Sequence, residues 1–153
     1  MKKTKSVIHL LFAAYVLLML WLLFGQRMAA AISGTWTENY WDDFTQKINL
    51  IPFQTIAEFW NNLHGSGRSH AIINLAGNVV MFVPLGFFIS YVFCKADIFR
   101  RSMLYALITI VCIEITQLVT LLGSLDVDDV LLNMIGVVIG YGLWACIGIR
   151  KRV

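Results

Sequence analysis

At 153 residues, with 59% hydrophobic and 14% charged side chains and a mean hydropathy of +0.75, the chain is too apolar and too poor in charge for a water-soluble domain of its size. Its net charge of +3 is split among short basic ends instead of being gathered on one face, so it gives no footprint for nucleic acid. What remains is an all-α integral membrane protein, and Cys94, Cys112 and Cys146, all inside apolar runs without metal-ligand spacing, imply neither a disulfide framework nor a metal or cofactor.

Lys2, Lys3 and Lys5 lead into an apolar run over residues 7–25 that is broken only by His9. Ala29, Ala30 and Ala31 resemble a signal-peptide cleavage site, but the run approaches the ~20 residues that cross a bilayer. An uncleaved first transmembrane helix is therefore expected, with His9 snorkelling to its cytoplasmic end. Residues 26–70 form the long polar segment. Its aromatic and acidic middle, residues 36–44, has the pattern of a chain at the membrane interface. Pro52 suits the first turn of a helix, and Ile56, Phe59, Trp60 and Leu63 recur at helical spacing, so a short amphipathic helix is expected before the turn at residues 64–67.

The second span is expected at about residues 71–94, with Asn74 and Asn78 on one face and a kink at Pro84. The third is expected at about 103–123 and the fourth at about 130–149. Gly136 and Gly140 form a GxxxG on the fourth, a surface that lets another helix approach closely and that would serve a homo-oligomer. No linker or repeat divides the chain, so residues 1–153 read as one domain. Nine of the twelve basic residues lie at the N-terminus, in the loop after the second span and at the C-terminus. The positive-inside rule puts these three segments, and so both termini, in the cytoplasm. Residues 26–70, with their interfacial helix, and the acidic turn at 126–129 then lie outside.

That topology brings Asn74, Asn78, Glu114, Gln117 and Asn133 to similar depth in the outer half of the bilayer, at ~1.5 Å of rise per residue. Polar groups there are costly unless hydrogen-bonded. They outline a polar cavity open to the outer leaflet, roofed by residues 49–53 and rimmed by Asp126, Asp128 and Asp129. Taken singly, the amides suit interhelical hydrogen bonding as well as ligand binding. Asp128 or Asp129 suits the N-cap of the fourth span. Glu114 stands apart, since no basic residue is expected at its depth and a buried carboxyl needs protonation, amide partners or a ligand.

The blocks NLIPF (49–53), NLAGNVVMFVPLG (74–86), the pair Glu114 and Gln117, and SLDVDDVLLNMIGVVIGYG (124–142) resemble, in order, the signature blocks of VanZ-like membrane proteins. The strongest resemblance covers residues 49–142. The family is named for a member linked to resistance to the lipoglycopeptide teicoplanin. The resemblance implies a functional core at Asn74, Asn78, Glu114, Gln117, Asp126, Asp129 and Asn133. The chain departs from the pattern at Gly123, where many relatives carry arginine.

The leading expectation is a cell-membrane protein that binds or modulates an outer-leaflet amphiphile, such as a membrane lipid, a lipid-linked envelope molecule or a lipoglycopeptide, with a contribution to teicoplanin-type resistance implied by the resemblance. The alternative is a membrane-embedded hydrolase or transferase, with Glu114, Asp126 and Asp129 as candidate catalytic carboxylates. No Ser-His-Asp, HExxH, Walker or CxxC pattern is present to favour a familiar chemistry, and His64 and His70 are read as solvated. The topology has a direct test. Single cysteines placed in residues 26–70 or beside Asp126 should react with an impermeant thiol reagent in intact cells, and one beside Arg100 should not.

Overall fold

The computed structural model describes residues 2–25, 28, 40–62, 68–92 and 97–150. Helix α1 (Lys2–Leu20) runs on into one π-helical turn, Trp21–Gly25. A short α2 (Tyr40–Gln46), strand β1 (Ile48–Asn49) and α3 (Gln54–Asn62) follow. Two long helices, α4 (Arg68–Val92) and α5 (Ile98–Val119), lead to strand β2 (Leu125–Asp126) and the last helix, α6 (Val127–Arg150). Four stretches are long and apolar enough to cross a membrane: Ser6–Gly25, Ile72–Val92, Ile98–Val119 and Val127–Ile147.

The third of these starts and stops earlier than its apolar run. Arg100 and Arg101 are exposed in the first turns of α5, so the helix extends past the hydrophobic segment at that end. At the other end the chain leaves α5 at Thr120 and passes through Leu121 in the left-handed conformation, φ 54°. That geometry costs a non-glycine residue about 1–2 kcal/mol. Pro84 lies inside α4 without ending it, although its ring gives no N–H to the carbonyl four residues back. The expected amphipathic helix is present as α3, but Pro52 precedes it. Ile56 and Phe59 are half-buried, whereas Trp60 points away from the bundle and is 65% exposed. Leu63, His64, Cys94 and the side chain of His70 lie outside the described residues.

The bundle is apolar on its outside as well as in its core. Leu10, Ile73, Val80, Leu104, Ile108 and Leu143 all face outward, as lipid contact requires. Inside, Met19, Phe82, Leu85, Ile110 and Val137 pack together, and Tyr15 of α1 donates to the Met81 carbonyl of α4 at 2.8 Å. The tightest contact joins α4 and α6. They run parallel, with Gly136 against Val79 and Gly140 against Val83. A β-carbon at Gly136 would lie 2.1 Å from the Val79 carbonyl oxygen, and one at Gly140 would lie 2.0 Å from that of Val83. Gly86 faces back in the same way, with its added carbon 2.1 Å from the Val137 oxygen. The GxxxG surface is thus occupied by α4 of the same chain, and a second copy would have to pack elsewhere.

This geometry makes the glycines sensitive. Gly136→Ala and Gly140→Ala should each cost about 1–3 kcal/mol by overpacking. Both should reduce the monodisperse fraction after detergent extraction and lower the thermal midpoint. Gly142→Ala, with nothing within 4 Å of the added carbon, should behave as wild type.

Candidate functional site

The acidic turn is divided between two tasks. Strands β1 and β2 pair in parallel, Ile48 with Leu125 and Asn49 with Asp126, and this lays the polar segment of the first loop along the turn between α5 and α6. Asp126, the residue before α6, takes its cap position: its Oδ1 accepts the Asp128 N–H at 2.8 Å. Its Oδ2 accepts from Thr55 Oγ1 at 2.5 Å and Asn49 Nδ2 at 3.3 Å. Asp128 has no exposed surface and turns back on α3. Its two oxygens accept the N–H groups of Phe53, at 2.6 Å, and Ile56, at 3.1 Å. These are N–H groups that a helix start leaves unsatisfied, and Phe53, at φ 66°, has no side chain able to cap them. A carboxylate there also meets the positive end of the helix dipole.

Behind this mouth lies a cavity of about 240 Å³. Three helices line it with polar pairs, each pair one turn apart: Asn74 and Asn78 on α4, Glu114 and Gln117 on α5, Asp129 and Asn133 on α6. Glu114, Gln117 and Asn133 are 3%, 5% and 2% exposed. Asn78 Nδ2 donates to Asp129 Oδ1, and Asn133 Nδ2 donates to Glu114 Oε1 at 3.4 Å. Among the described residues nothing donates to the buried Asn133 Oδ1. The rest of the wall is Leu23 from the end of the first span, Lys47, and residues 121–124. Lys47 Nζ donates to the Leu121 carbonyl at 2.6 Å, and Tyr40 Oη donates to that of Val119 at 2.8 Å. The frayed end of α5 is thereby closed by two side chains from the first loop. Among the described residues no three His, Cys, Asp or Glu side chains come together to hold a metal ion.

The family model described as VanZ/LLP1 matches residues 12–148, nearly the whole chain. The chain belongs to the VanZ/LLP1 family. No curated protein and no solved structure matches it.

Of the seven residues singled out in this VanZ/LLP1 protein from sequence, six line one pocket and Asp126 does not. Its carboxylate is taken up by Asn49, Thr55 and the start of α6. The expected roof also moves. Residues 49–53 lie outside the lining, tied to Asp126 and Asp128, and Lys47 with the 121–124 turn closes the pocket instead. Lys47 went unnoticed in the sequence, although one signal pointed to it: it is a basic residue on the side that the charge rule places outside. It also supplies the pocket with a cation, which the reading of Glu114 lacked. The tie between Asp128 and α3 can be tested. Asp128→Asn replaces one acceptor by a donor facing a backbone N–H, which should cost about 1–3 kcal/mol. A thermal midpoint lower by several degrees in detergent is expected.

Proposed function

We propose that this VanZ/LLP1 protein lies in the cell membrane with both termini in the cytoplasm and takes the polar head of an outer-leaflet amphiphile into the pocket between α4, α5 and α6. What carries this reading is the convergence of three buried polar residues, Glu114, Gln117 and Asn133, on one cavity inside a bundle whose outer faces are apolar. Asn133 bonds to Glu114 and Asn78 to Asp129 between helices, and the same side chains also border the open space of the cavity. Family membership is consistent with a role in glycopeptide antibiotic resistance. The cavity, at about 240 Å³, is smaller than the ~300–1,000 Å³ of sites that enclose drug-sized ligands. It suits the head group of a membrane lipid or lipid-linked envelope molecule, and a contribution to resistance would run through that molecule.

A second reading, a hydrolase or transferase acting on a lipid-linked envelope substrate, draws on one observation: two carboxyl groups, Glu114 and Asp129, line the same pocket. Native mass spectrometry of the purified protein separates the two. A co-purifying intact amphiphile supports binding, and its turnover on incubation supports the enzyme. Recovery of the protein without any amphiphile, from membranes rich in envelope precursors, counts against both.

Substitution at the pocket gives the companion test. Glu114→Gln keeps the shape and most of the hydrogen-bonding capacity of the side chain but removes its ability to ionise. Asp129→Asn removes a charge from the first turn of α6, where the dipole contact is worth only about 0.3–1 kcal/mol, and keeps an oxygen that can accept from Asn78. Both variants should accumulate normally and lose the amphiphile or the resistance phenotype. Wild-type behaviour of both, or failure of both to accumulate, would return the two residues to packing.

A further inference from the structure

The pocket has two chemically different ends. At the mouth, half-buried Lys47 holds its ammonium against the Leu121 carbonyl. Among the described residues that line the cavity it is the one cation. At the floor, Asn133 Oδ1 is buried in a residue 2% exposed and receives no hydrogen bond from the described residues. An acceptor so placed costs stability until a donor reaches it. Glu114, which accepts from Asn133, lies five residues before Val119, the end of α5, so the floor is about 7.5 Å along the axis from the helix end.

Besides the carboxyl groups of Glu114 and Asp129, the polar wall carries four amides: Asn74, Asn78, Gln117 and, at the floor, Asn133. An amide offers both donors and an acceptor. The group that matches such a wall is a hydroxyl, which both donates and accepts, whereas an ammonium only donates. A bare phosphate held by Lys47 would not extend to Asn133. A phosphate that carries a further hydroxylated unit would.

We infer that Lys47 is the phosphate-recognising residue of this pocket and that the ligand class is a phosphate ester bearing a hydroxylated head, the phosphate at the mouth and a hydroxyl donating to Asn133 Oδ1. This deepens the amphiphile-binding reading and rests on it. Lys47 also closes the end of α5, so its removal has a structural side that the test must separate.

The experiment uses the full chain in lipid nanodiscs or detergent, with phosphatidylglycerol as the probe and binding followed by native mass spectrometry or titration. Phosphatidylglycerol should bind roughly tenfold more tightly than phosphatidylcholine, phosphatidylethanolamine or phosphatidic acid, each of which lacks the hydroxylated head, as the loss of one good hydrogen bond implies. Lys47→Met should weaken phosphatidylglycerol roughly tenfold or more, and Lys47→Arg should restore it while both variants keep a thermal midpoint near wild type. Competition by glycerol 3-phosphate at comparable concentration supports the same chemistry and assigns its source to a soluble ester instead of a lipid. Equal retention of the four lipids overturns the inference, and that comparison needs no variant. So does unchanged phosphatidylglycerol binding by Lys47→Met. Binding of an amphiphile that ignores both phosphate and Lys47 leaves the pocket reading standing while this inference falls.

Discussion

Both carboxylate oxygens of Asp128 are taken by backbone N–H groups that lie 72 and 75 residues earlier in the chain, and the side chain has no exposed surface. A buried carboxylate with nothing to accept from would be prohibitive. A helix start with no capping side chain would be costly as well. Each deficiency removes the other. From this contact the rest of the mouth follows: α3 is set against α4, β1 lies along β2, and Lys47, just before β1, is brought to the end of α5. The pocket opens where these pieces meet.

The floor obeys a different constraint. With apolar side chains facing outward on all four spans, greasiness alone does not draw α4 and α6 together as it would in water. Close backbone approach does that work at Gly86, Gly136 and Gly140, where the carbonyls of Val137, Val79 and Val83 sit at distances no side chain would permit. The contact holds Asn74 and Asn78 of α4 near Asp129 and Asn133 of α6, just above the glycines. Rigid apolar packing below and a hydrogen-bonded polar wall above belong to the same pair of helices.

Much of this was legible in the residues. Apolar runs of spanning length gave the four long helices, and polar pairs at helical spacing, Glu114 with Gln117 and Asp129 with Asn133, marked faces that converge on one cavity. What periodicity does not carry is pairing between distant segments. The parallel β1–β2 register and the position of Lys47 depend on contacts more than seventy residues apart, which no local pattern encodes. Asp126 stands outside the pocket lining for a related reason. An acidic cluster beside a pocket reads as a rim, yet Asn49 and Thr55 had prior use for that carboxylate. The absence of Ser, Thr, Asp or Asn just before Gln54 was the clue available, since an uncapped helix start requires an acceptor from elsewhere.

Because the first loop is held by groups from the start of α6, its geometry depends on the order in which the chain is made. When the first three spans have entered the bilayer, Phe53, Ile56, Thr55 and Asn49 still lack Asp126 and Asp128, and the parallel partner of β1 does not exist. The α4 surface that receives Gly136 and Gly140 is likewise bare until α6 arrives. Insertion of the fourth span therefore does two things at once: it completes the wall that holds Asp129 and Asn133, and it clamps the loop that carries Lys47. A ribosome-bound or truncated chain ending before residue 126 would have three of the four membrane helices but neither the α6 wall nor the clamped first loop.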